Sequence, residues 1–530
     1  MNKIDKIVIV GGGSAGWMSA AALIKTFPEK EIVLIESPDI PVVGVGESTL
    51  GGIKNYCYYI GIDEKDFMSY TNASYKMSIR FTDFYKKDSG SFHYPFGEPF
   101  FDKDVQREND WFIKKAYSPE TPIQDFVTSL FPAAALFETN KFALNKYGVY
   151  DNYNPRIDVA YHFDAVKFGG WLREKYCIPR GVKHIQAEVS DVKVSEEGIE
   201  YLVLKNKEKI KADLFIDCTG FSSILLGKAL KEPFIPFNDI LLNNRAWACQ
   251  VPYIDKEKEI EPFTNCTALG NGWAWNVPLW SRLGTGYVYS DKHISPEDAL
   301  EEFKDYLCSD KMAIKRKRKD VDSLKFRDIP IRTGIHERTW VKNVVAIGLS
   351  SAFIEPLESN GLFSVHEFLF KLLKSLLRGE VSQWDRDAYN AATYGLFRNF
   401  TEFVALHYAL SLRDDTQYWR DIKNLSFAPG MVKQEPTNIT GFYSLQDTKM
   451  FSHRYDRNSG INYISVGMNY CISDEVDQAI LKNKYNIDVK KEMKNVFIKM
   501  EERKARWERA AKNEKTLYQY LKDNIYEGQE

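Results

Sequence analysis

The sequence predicts an α/β protein that begins with a parallel β-sheet and ends in a mainly helical region. Residues 6–10 and 31–35 are short, continuous apolar segments typical of buried parallel strands, and a helical pattern lies between them. Apolar segments of the same kind return at 200–204 and 212–220. The last third of the chain is largely helical in pattern, and 486–523 is predicted to form a charged amphipathic helical tail.

The turn after the first strand is rich in glycine and opens a helix. It comprises Gly11, Gly12, Gly13, Ser14, Ala15 and Gly16. Gly11 permits a tight turn, Gly13 lets the backbone approach phosphate groups, and Gly16 lets the helix pack on the strand. The second strand ends at Glu36, whose carboxylate can accept hydrogen bonds from ribose hydroxyls. This ordered set predicts a Rossmann-like dinucleotide site rather than an ordinary glycine-rich turn.

Length and charge indicate a large protein with no general affinity for polyanions. A chain of 530 residues exceeds one ordinary core, so about two structural units or one large composite are expected. Lys and Arg number 71 and Asp and Glu 73, a net charge of -2 that favours neither nucleic acid nor an anionic membrane. The basic run 315–319 is predicted to be a solvated face or loop.

Cysteine and histidine usage favours a reducing compartment and no metal. The 7 cysteines include no CxxC pair, so neither a disulfide framework nor a zinc site is predicted. His162 is expected to pack and form hydrogen bonds in the fold. The sequence shows neither a signal peptide nor an apolar run long enough to span a bilayer, so we expect a cytoplasmic protein.

Five motifs, taken in order, resemble one enzyme family. They are GGGSAGWMSA, GVGEST, SYKMSIRF, GWAWNVP and FIEPLESNG. From residue 5 to about 375, the chain is similar to the flavin-dependent halogenases of the tryptophan halogenase family. The resemblance implies a two-dinucleotide-binding-domain flavoprotein fold. Its discontinuous FAD-binding domain would span 1–375, with an aromatic-rich insertion near 90–160, and a mainly helical substrate-covering region would span 376–530.

The resemblance also implies cofactor contacts outside the glycine-rich turn. Val189 would lie beside the adenosine of FAD, and Gly348 would bring the backbone close to the flavin or its ribityl chain. Glu47 falls in the flavin-loop motif, and Leu349 and Leu362 match residues that touch the cofactor.

Lys76 and Glu358 are the predicted catalytic pair. By position, Lys76 matches the family lysine that receives hypohalous acid, HOX, and Glu358 matches the glutamate placed near it. An ammonium can donate a hydrogen bond to HOX, whereas a neutral amine can react with it to give a haloamine, and both routes stay open. A carboxylate can orient the oxidant, stabilise a cationic ring or accept its proton. In isolation, either residue would be an ordinary surface lysine or helix-entry acid.

Halide is predicted to bind at a helix N-terminus. Glu358 precedes an apolar helix at 362–377, and backbone N–H groups at such a terminus favour an anion. The resemblance assigns the halide to the amides of Asn360 and Gly361, where Asn360 replaces the usual threonine. Because the contact is through the main chain, the site would survive this change, but the preference among chloride, bromide and iodide stays open.

Trp273 and Trp275 flank one residue in a predicted strand, so both indoles should point to the same face. Core packing would explain such aromatics by itself. The resemblance implies that they also keep the substrate away from the flavin and so suppress monooxygenation.

The substrate is predicted from the segment FHYPFG. Tyr94 and Phe96 match substrate-side positions of the family, but Tyr94 stands where a histidine is usual. This departure favours a different or broader aromatic substrate than tryptophan. A free indole or phenol is favoured over a carrier-bound substrate.

The implied reaction needs partners outside this chain. A separate flavin reductase would supply FADH2, and O2 and halide would then yield the HOX that passes to Lys76. A homodimer is expected by analogy alone. Two alternatives stay open: a single-component aromatic hydroxylase, disfavoured by the WAWNVP and EPLES motifs, and a non-catalytic flavin-binding scaffold, disfavoured by Lys76 and Glu358 together.

Overall fold

The computed structural model describes residues 4–39, 46–100, 111, 114–115, 118–425, 461–469 and 489–528. The start of the GVGEST motif and Cys471 lie outside these residues, as does most of 414–460, which was expected to be irregular.

A six-stranded sheet carries the glycine-rich turn. In spatial order its strands are Trp340–Val341, Val344–Ala346, Leu214–Asp217, Lys6–Val10, Glu31–Glu36 and Lys183–Gln186. All neighbouring pairs are parallel except the first. Ile7 and Val8 belong to different apolar clusters, so both faces of the sheet are covered, which explains the continuous apolar pattern of these strands. The predicted α/β, Rossmann-like fold class is confirmed.

A seven-stranded mixed sheet forms the second large layer. Its strands, in spatial order, are Arg327–Pro330, Arg245–Val251, Leu283–Tyr289, Gly272–Pro278, Phe263–Ala268, Ser78–Thr82 and Ser91–Pro95. Trp273 packs in the main core, whereas Ala274 packs in a separate cluster on the opposite face. The indoles of Trp273 and Trp275 lie on the same face with ring centroids 6.1 Å apart, as the alternation predicts.

Three small sheets complete the β-structure of the described residues. Their strands are Val189–Ser195 with Gly198–Leu204 and Lys209–Ile210; Phe234–Pro236 with Gly334–His336 and Ala352–Phe353; and Glu47–Ser48 with Ala160–Phe163 and Ser74–Lys76. The last of these sheets holds the predicted catalytic lysine.

Helices surround the sheets. The α-helices of the described residues are Ser14–Thr26, Ile53–Ile60, Glu64–Thr71, Gln124–Leu130, Ala134–Phe137, Ala165–Trp171, Lys256–Glu259, Pro296–Leu307, Arg318–Asp322, Gly361–Leu376, Gln383–Ala409, Gln417–Lys423, Ile461–Gly467, Val489–Ala511 and Leu517–Asn524. Among the residues that the structure describes, no helix is both long enough and apolar enough to cross a membrane.

The described part of the carboxy-terminal tail is helical, as the pattern predicts, and comprises two helices, Val489–Ala511 and Leu517–Asn524. The second helix begins after Thr516, whose hydroxyl accepts a hydrogen bond from the backbone N–H of Gln519. Trp507 is fully buried, so the tail covers part of the core.

The basic run 315–319 is only partly solvated. Arg316 is buried, pairs with Glu259 and donates a hydrogen bond to the carbonyl of Pro252 at 3.2 Å. The prediction of a wholly solvated run is therefore wrong at this residue, because a buried carboxylate from another element holds the guanidinium inside.

Candidate active site

The glycine-rich turn is fixed by close backbone contacts. Gly11 has a φ of +114°, and a Cβ there would lie 2.2 Å from the carbonyl oxygen of Cys218. A Cβ on Gly16 would lie 1.8 Å from the carbonyl oxygen of Gly11. Gly13, in contrast, has no atom within 4 Å of its Cβ position. The first two glycines permit packing, whereas Gly13 faces open space where a phosphate group can approach.

The helix Ser14–Thr26 starts at Gly13 without a side-chain cap, which leaves N–H groups at its N-terminus for a ligand. The Ser14 hydroxyl does not cap the helix either, because it donates to the carbonyl of Ala165 at 3.3 Å. Gly12 lies against the carboxylate of Glu36, which is also held 2.8 Å from His184 Nε2. This arrangement fits the diphosphate and ribose of a dinucleotide.

Residues distant in sequence meet at this turn. Gly348, with a φ of +78°, packs so closely against Ala15 that a Cβ would lie 2.8 Å from the Ala15 Cβ. Leu349 follows it at the end of the parallel sheet. Val189 opens a strand just after Ala187, whose N–H bonds to the carbonyl of Glu36 at 3.0 Å. The predicted FAD contacts at these positions stay expectations.

Lys76 is buried rather than exposed at the surface. Its side chain is fully buried, and its Nζ donates to the carbonyl of Thr49 at 2.9 Å and to the hydroxyl of Ser359 at 2.8 Å. The Nζ also lies 5.0 Å from the centroid of the Phe96 ring. Loss of solvation lowers the pKa of Lys76 to about 7, although Cys266 and Glu358 oppose the fall. Both the ammonium and the amine are therefore accessible near neutral pH.

Glu358 is buried in the same region. It ends the short turn Pro356–Glu358, and burial raises its pKa, while His407 and Lys76 lower it. His407 Nε2 lies 2.7 Å from Glu358 Oε1. The line joining the two atoms departs from the direction of an imidazole N–H, so the contact is not a well-aligned hydrogen bond. The ordered motifs pointed to Glu358, but His407 was missed because it comes from the helix Gln383–Ala409, beyond the region of resemblance.

A second buried carboxylate holds the surrounding elements together. Glu355 accepts hydrogen bonds from Tyr408 at 2.5 Å, from Asn243 at 2.5 Å and from Trp273 Nε1 at 3.4 Å.

Trp275 pairs with Cys266 across neighbouring strands, and residues directly opposite each other share a face of the sheet. The two tryptophans therefore face the side on which Lys76 and Glu358 lie.

The start of helix Gly361–Leu376 has the open amides predicted for a halide. In the described part of the chain, no backbone or side-chain acceptor takes the N–H of Asn360 or Gly361. The Asn360 side chain donates instead to the carbonyl of Glu355 at 2.9 Å. Leu362 is buried in the first turn of this helix. Nearby Glu47 lies close to Gly361, and burial, together with Asp164, raises the pKa of Glu47 to about 7.

A cluster of aromatic rings lies beside Lys76. Tyr94 stacks on Tyr463 with centroids 5.6 Å apart, and it meets Phe96 edge to face at 6.1 Å. Phe403 lies 6.3 Å from Tyr94. The edge strand of the seven-stranded sheet is thus joined to the helices Gln383–Ala409 and Ile461–Gly467 next to Lys76.

His162, named as a structural residue, is buried between two hydroxyls. Its ring nitrogens lie 3.2 Å from Ser74 Oγ and 2.8 Å from Thr264 Oγ1. Its predicted packing and hydrogen-bonding role is therefore seen in the fold.

Comparison with known proteins gives consistent relationships. The family model for tryptophan halogenase matches residues 6–508. The chain is 36% identical to the tryptophan 6-halogenase SttH of Streptomyces toxytricini, over 81% of this chain and 83% of that protein. It is 34% identical to the tryptophan 7-halogenase RebH of Lentzea aerocolonigenes, over 82% of this chain and 81% of RebH. The solved apo structure of VirX1 superposes with a TM-score of 0.88 at 36% identity, covering 99% of both chains.

These matches span the glycine-rich turn, both tryptophans, Lys76 and Glu358, and they agree with the resemblance carried by the ordered motifs. Enzymes of this family typically receive reduced flavin from a separate reductase and act on aromatic substrates. The chain belongs to the tryptophan halogenase family and is a flavin-dependent halogenase.

Proposed function

We propose that this enzyme halogenates a small, electron-rich aromatic molecule of the indole or phenol type, with HOX passed through Lys76. The observation that carries the proposal is a buried lysine and a buried glutamate that interact electrostatically, with the lysine beside the ring of Phe96. Bound FADH2 would reduce and so activate O2, which would then oxidise halide to HOX. The chain's own residues then hold, orient and use that oxidant.

Lys76 suits the delivery of an electrophilic halogen. Thr49 and Ser359 take two of its hydrogen-bonding directions, which leaves capacity for a third partner. Because burial brings its pKa to about 7, the side chain can act as an ammonium donor to HOX or as an amine that forms an N–X bond and releases water. The Phe96 ring lies 5.0 Å from Nζ and would shield an oxidant bound there from bulk water on that side.

Glu358 suits the second half of the substitution. When the ring carbon bonds to the halogen, the ring becomes cationic and must lose a proton to restore aromaticity. A buried carboxylate stabilises such a cation strongly because little water competes, and it can accept the proton. Burial raises the pKa of Glu358, and His407 and Lys76 oppose that rise, towards the ionised form that this role requires.

The halide and shielding assignments complete the proposal. The open amides of Asn360 and Gly361 would hold the halide where the helix dipole favours an anion. Trp273 and Trp275 present bulk on the face where Lys76 lies, which supports their role in separating substrate from flavin.

Tyr94 supports a substrate choice that differs from that of SttH and RebH, which are tryptophan halogenases by name. The Tyr94 ring stacks on that of Tyr463 and meets that of Phe96 edge to face, so these rings form one aromatic surface. A flat, uncharged aromatic molecule can pack on such a surface without an ionic contact. The cytoplasmic location, the homodimer and the domain division at 375 stay predictions.

The test is mass spectrometry of reaction mixtures with FAD, a flavin reductase, NADH and O2. Chloride, bromide and iodide are offered in turn with tryptophan, other indoles and phenols. We expect halogen mass shifts with wild type and none with Lys76→Met, which must still bind FAD. Lys65→Met, an exposed lysine, is the matched control. Products that gain only oxygen, or halogenation that persists in Lys76→Met, would contradict the proposal.

A further inference from the structure

His407 is buried near the carboxy-terminal end of the helix Gln383–Ala409 and faces the core. Its imidazole lies among aromatic rings, with centroids 4.8 Å from Phe81 and 5.4 Å from Phe403. Rings packed on two sides restrict the rotation of the imidazole. Its nitrogens therefore point in fixed directions.

Backbone contacts fix the tautomer of this histidine. Nδ1 lies 3.1 Å from the carbonyl oxygen of Phe403 and 3.2 Å from that of Val404. A carbonyl only accepts, so Nδ1 must carry the hydrogen. Nε2 therefore carries either a lone pair, in the neutral imidazole, or a second hydrogen, in the imidazolium.

The other nitrogen meets the catalytic glutamate. Nε2 lies 2.7 Å from Glu358 Oε1, and neither side chain is exposed to solvent. A bare imidazole nitrogen and a carboxylate oxygen would repel each other at this distance. One proton must therefore be shared by the pair, as imidazolium with carboxylate or as imidazole with carboxylic acid.

We infer that His407 is a positioning residue that, by sharing this proton, holds one oxygen of Glu358 and keeps its charged form available to the substrate pocket. The inference rests on the proposed role of Glu358. Among the described residues neither carboxylate oxygen accepts a well-aligned hydrogen bond, and Oε1 is the oxygen that lies against His407 Nε2, at 2.7 Å. Oε2 is therefore the oxygen left for HOX or for the ring.

Three other titratable groups interact with this pair. Lys76, on strand Ser74–Lys76, and Cys266, on strand Phe263–Ala268, interact electrostatically with Glu358. Glu355 interacts with His407 and is itself held by Tyr408. Of the neighbours that interact with Glu358, His407 and Lys76 both lower its pKa, so the loss of either cation favours the protonated acid.

The experiment is a double-mutant cycle with His407→Gln, Glu358→Gln and the double variant, assayed for halogenated product across pH. We expect His407→Gln to lower kcat about tenfold, which is about 1.4 kcal/mol in activation free energy. The acidic limb of its pH–rate profile should move to higher pH, because Glu358 loses the interaction with His407 that lowers its pKa. In the Glu358→Gln background, the same change should alter kcat less than about twofold.

Equal losses in both backgrounds, or an acidic limb that does not move, would overturn the inference while leaving the halogenase itself intact. Absence of product from wild type would instead refute the proposed function. FAD binding and thermal unfolding establish that each variant is folded. If His407→Gln does not fold, nitrogen-15 NMR of histidine-labelled wild type and Glu358→Gln decides. A shifted Nε2 resonance with an unchanged Nδ1 resonance supports the shared proton, and identical spectra refute it.

Discussion

Replacing Lys76 with methionine should change how the stability of the protein depends on pH. Methionine fills similar volume in the pocket but carries no charge. The folded-state pKa of Lys76 is about 7, against 10.5 for a lysine in water. Between these values the unfolded chain binds the proton and the folded protein does not, so the free energy of unfolding of wild type rises with pH in this window.

The size of the effect follows from the two pKa values. Each pKa unit corresponds to about 1.4 kcal/mol. The full fall from 10.5 to about 7 therefore corresponds to about 5 kcal/mol of penalty for burying the ammonium, present below pH 7 and relieved as pH rises towards 10.5. Between pH 7 and 9, the free energy of unfolding of wild type should rise relative to that of Lys76→Met by about 2 kcal/mol.

The assay is urea unfolding at several pH values, followed by intrinsic fluorescence, for wild type, Lys76→Met and the exposed control Lys65→Met. Groups distant from Lys76 titrate alike in wild type and variants, so their contributions cancel in the differences. Lys65→Met should show no such pH-dependent difference. A constant difference between wild type and Lys76→Met from pH 7 to 9 would refute the reasoning, because Lys76 would then keep the same charge in the folded and unfolded states over that window.

Three further changes test other parts of the site. The Cβ position of Gly13 has no atom within 4 Å, so Gly13→Ala should leave the unfolding temperature of the apoprotein unchanged. It should raise the Kd for FAD about tenfold, which is about 1.4 kcal/mol. An unchanged Kd in a fluorescence titration would argue against phosphate at this position. Trp275→Leu should give products that gain oxygen, detected by mass spectrometry, and product masses like those of wild type would argue against shielding. Tyr94→His removes the stack on Tyr463 and should change the ratio of kcat/KM for indoles to that for phenols about tenfold; an unaltered ratio would place substrate selection elsewhere.

The glycine-rich turn could be predicted in detail because the residues that define its motif are close together in sequence. The turn, the helix that follows it and Glu36 lie within one strand–helix–strand unit, where the residue types at fixed spacing determine the backbone. Lys76 and Glu358 could be identified only through ordered motifs. Their meeting depends on how two sheets and a helix pack, and no local pattern records that packing. The same limit explains why Arg316 was expected in solvent although Glu259 holds it inside.

The long helix Gln383–Ala409 shows which signal in the sequence points to the missed residue. Helical periodicity identifies the helix and its buried face, but that face carries polar side chains among the apolar ones, including Asn390, His407 and Tyr408. Each buried polar group needs a partner. Asn390 bonds to the backbone of Trp340, Tyr408 donates to Glu355, and His407 pairs with Glu358. Buried polar positions on a helix thus indicate where the helix contacts polar or charged groups of another element. Here they indicate that this helix packs against the EPLES segment, which carries Glu355 and Glu358.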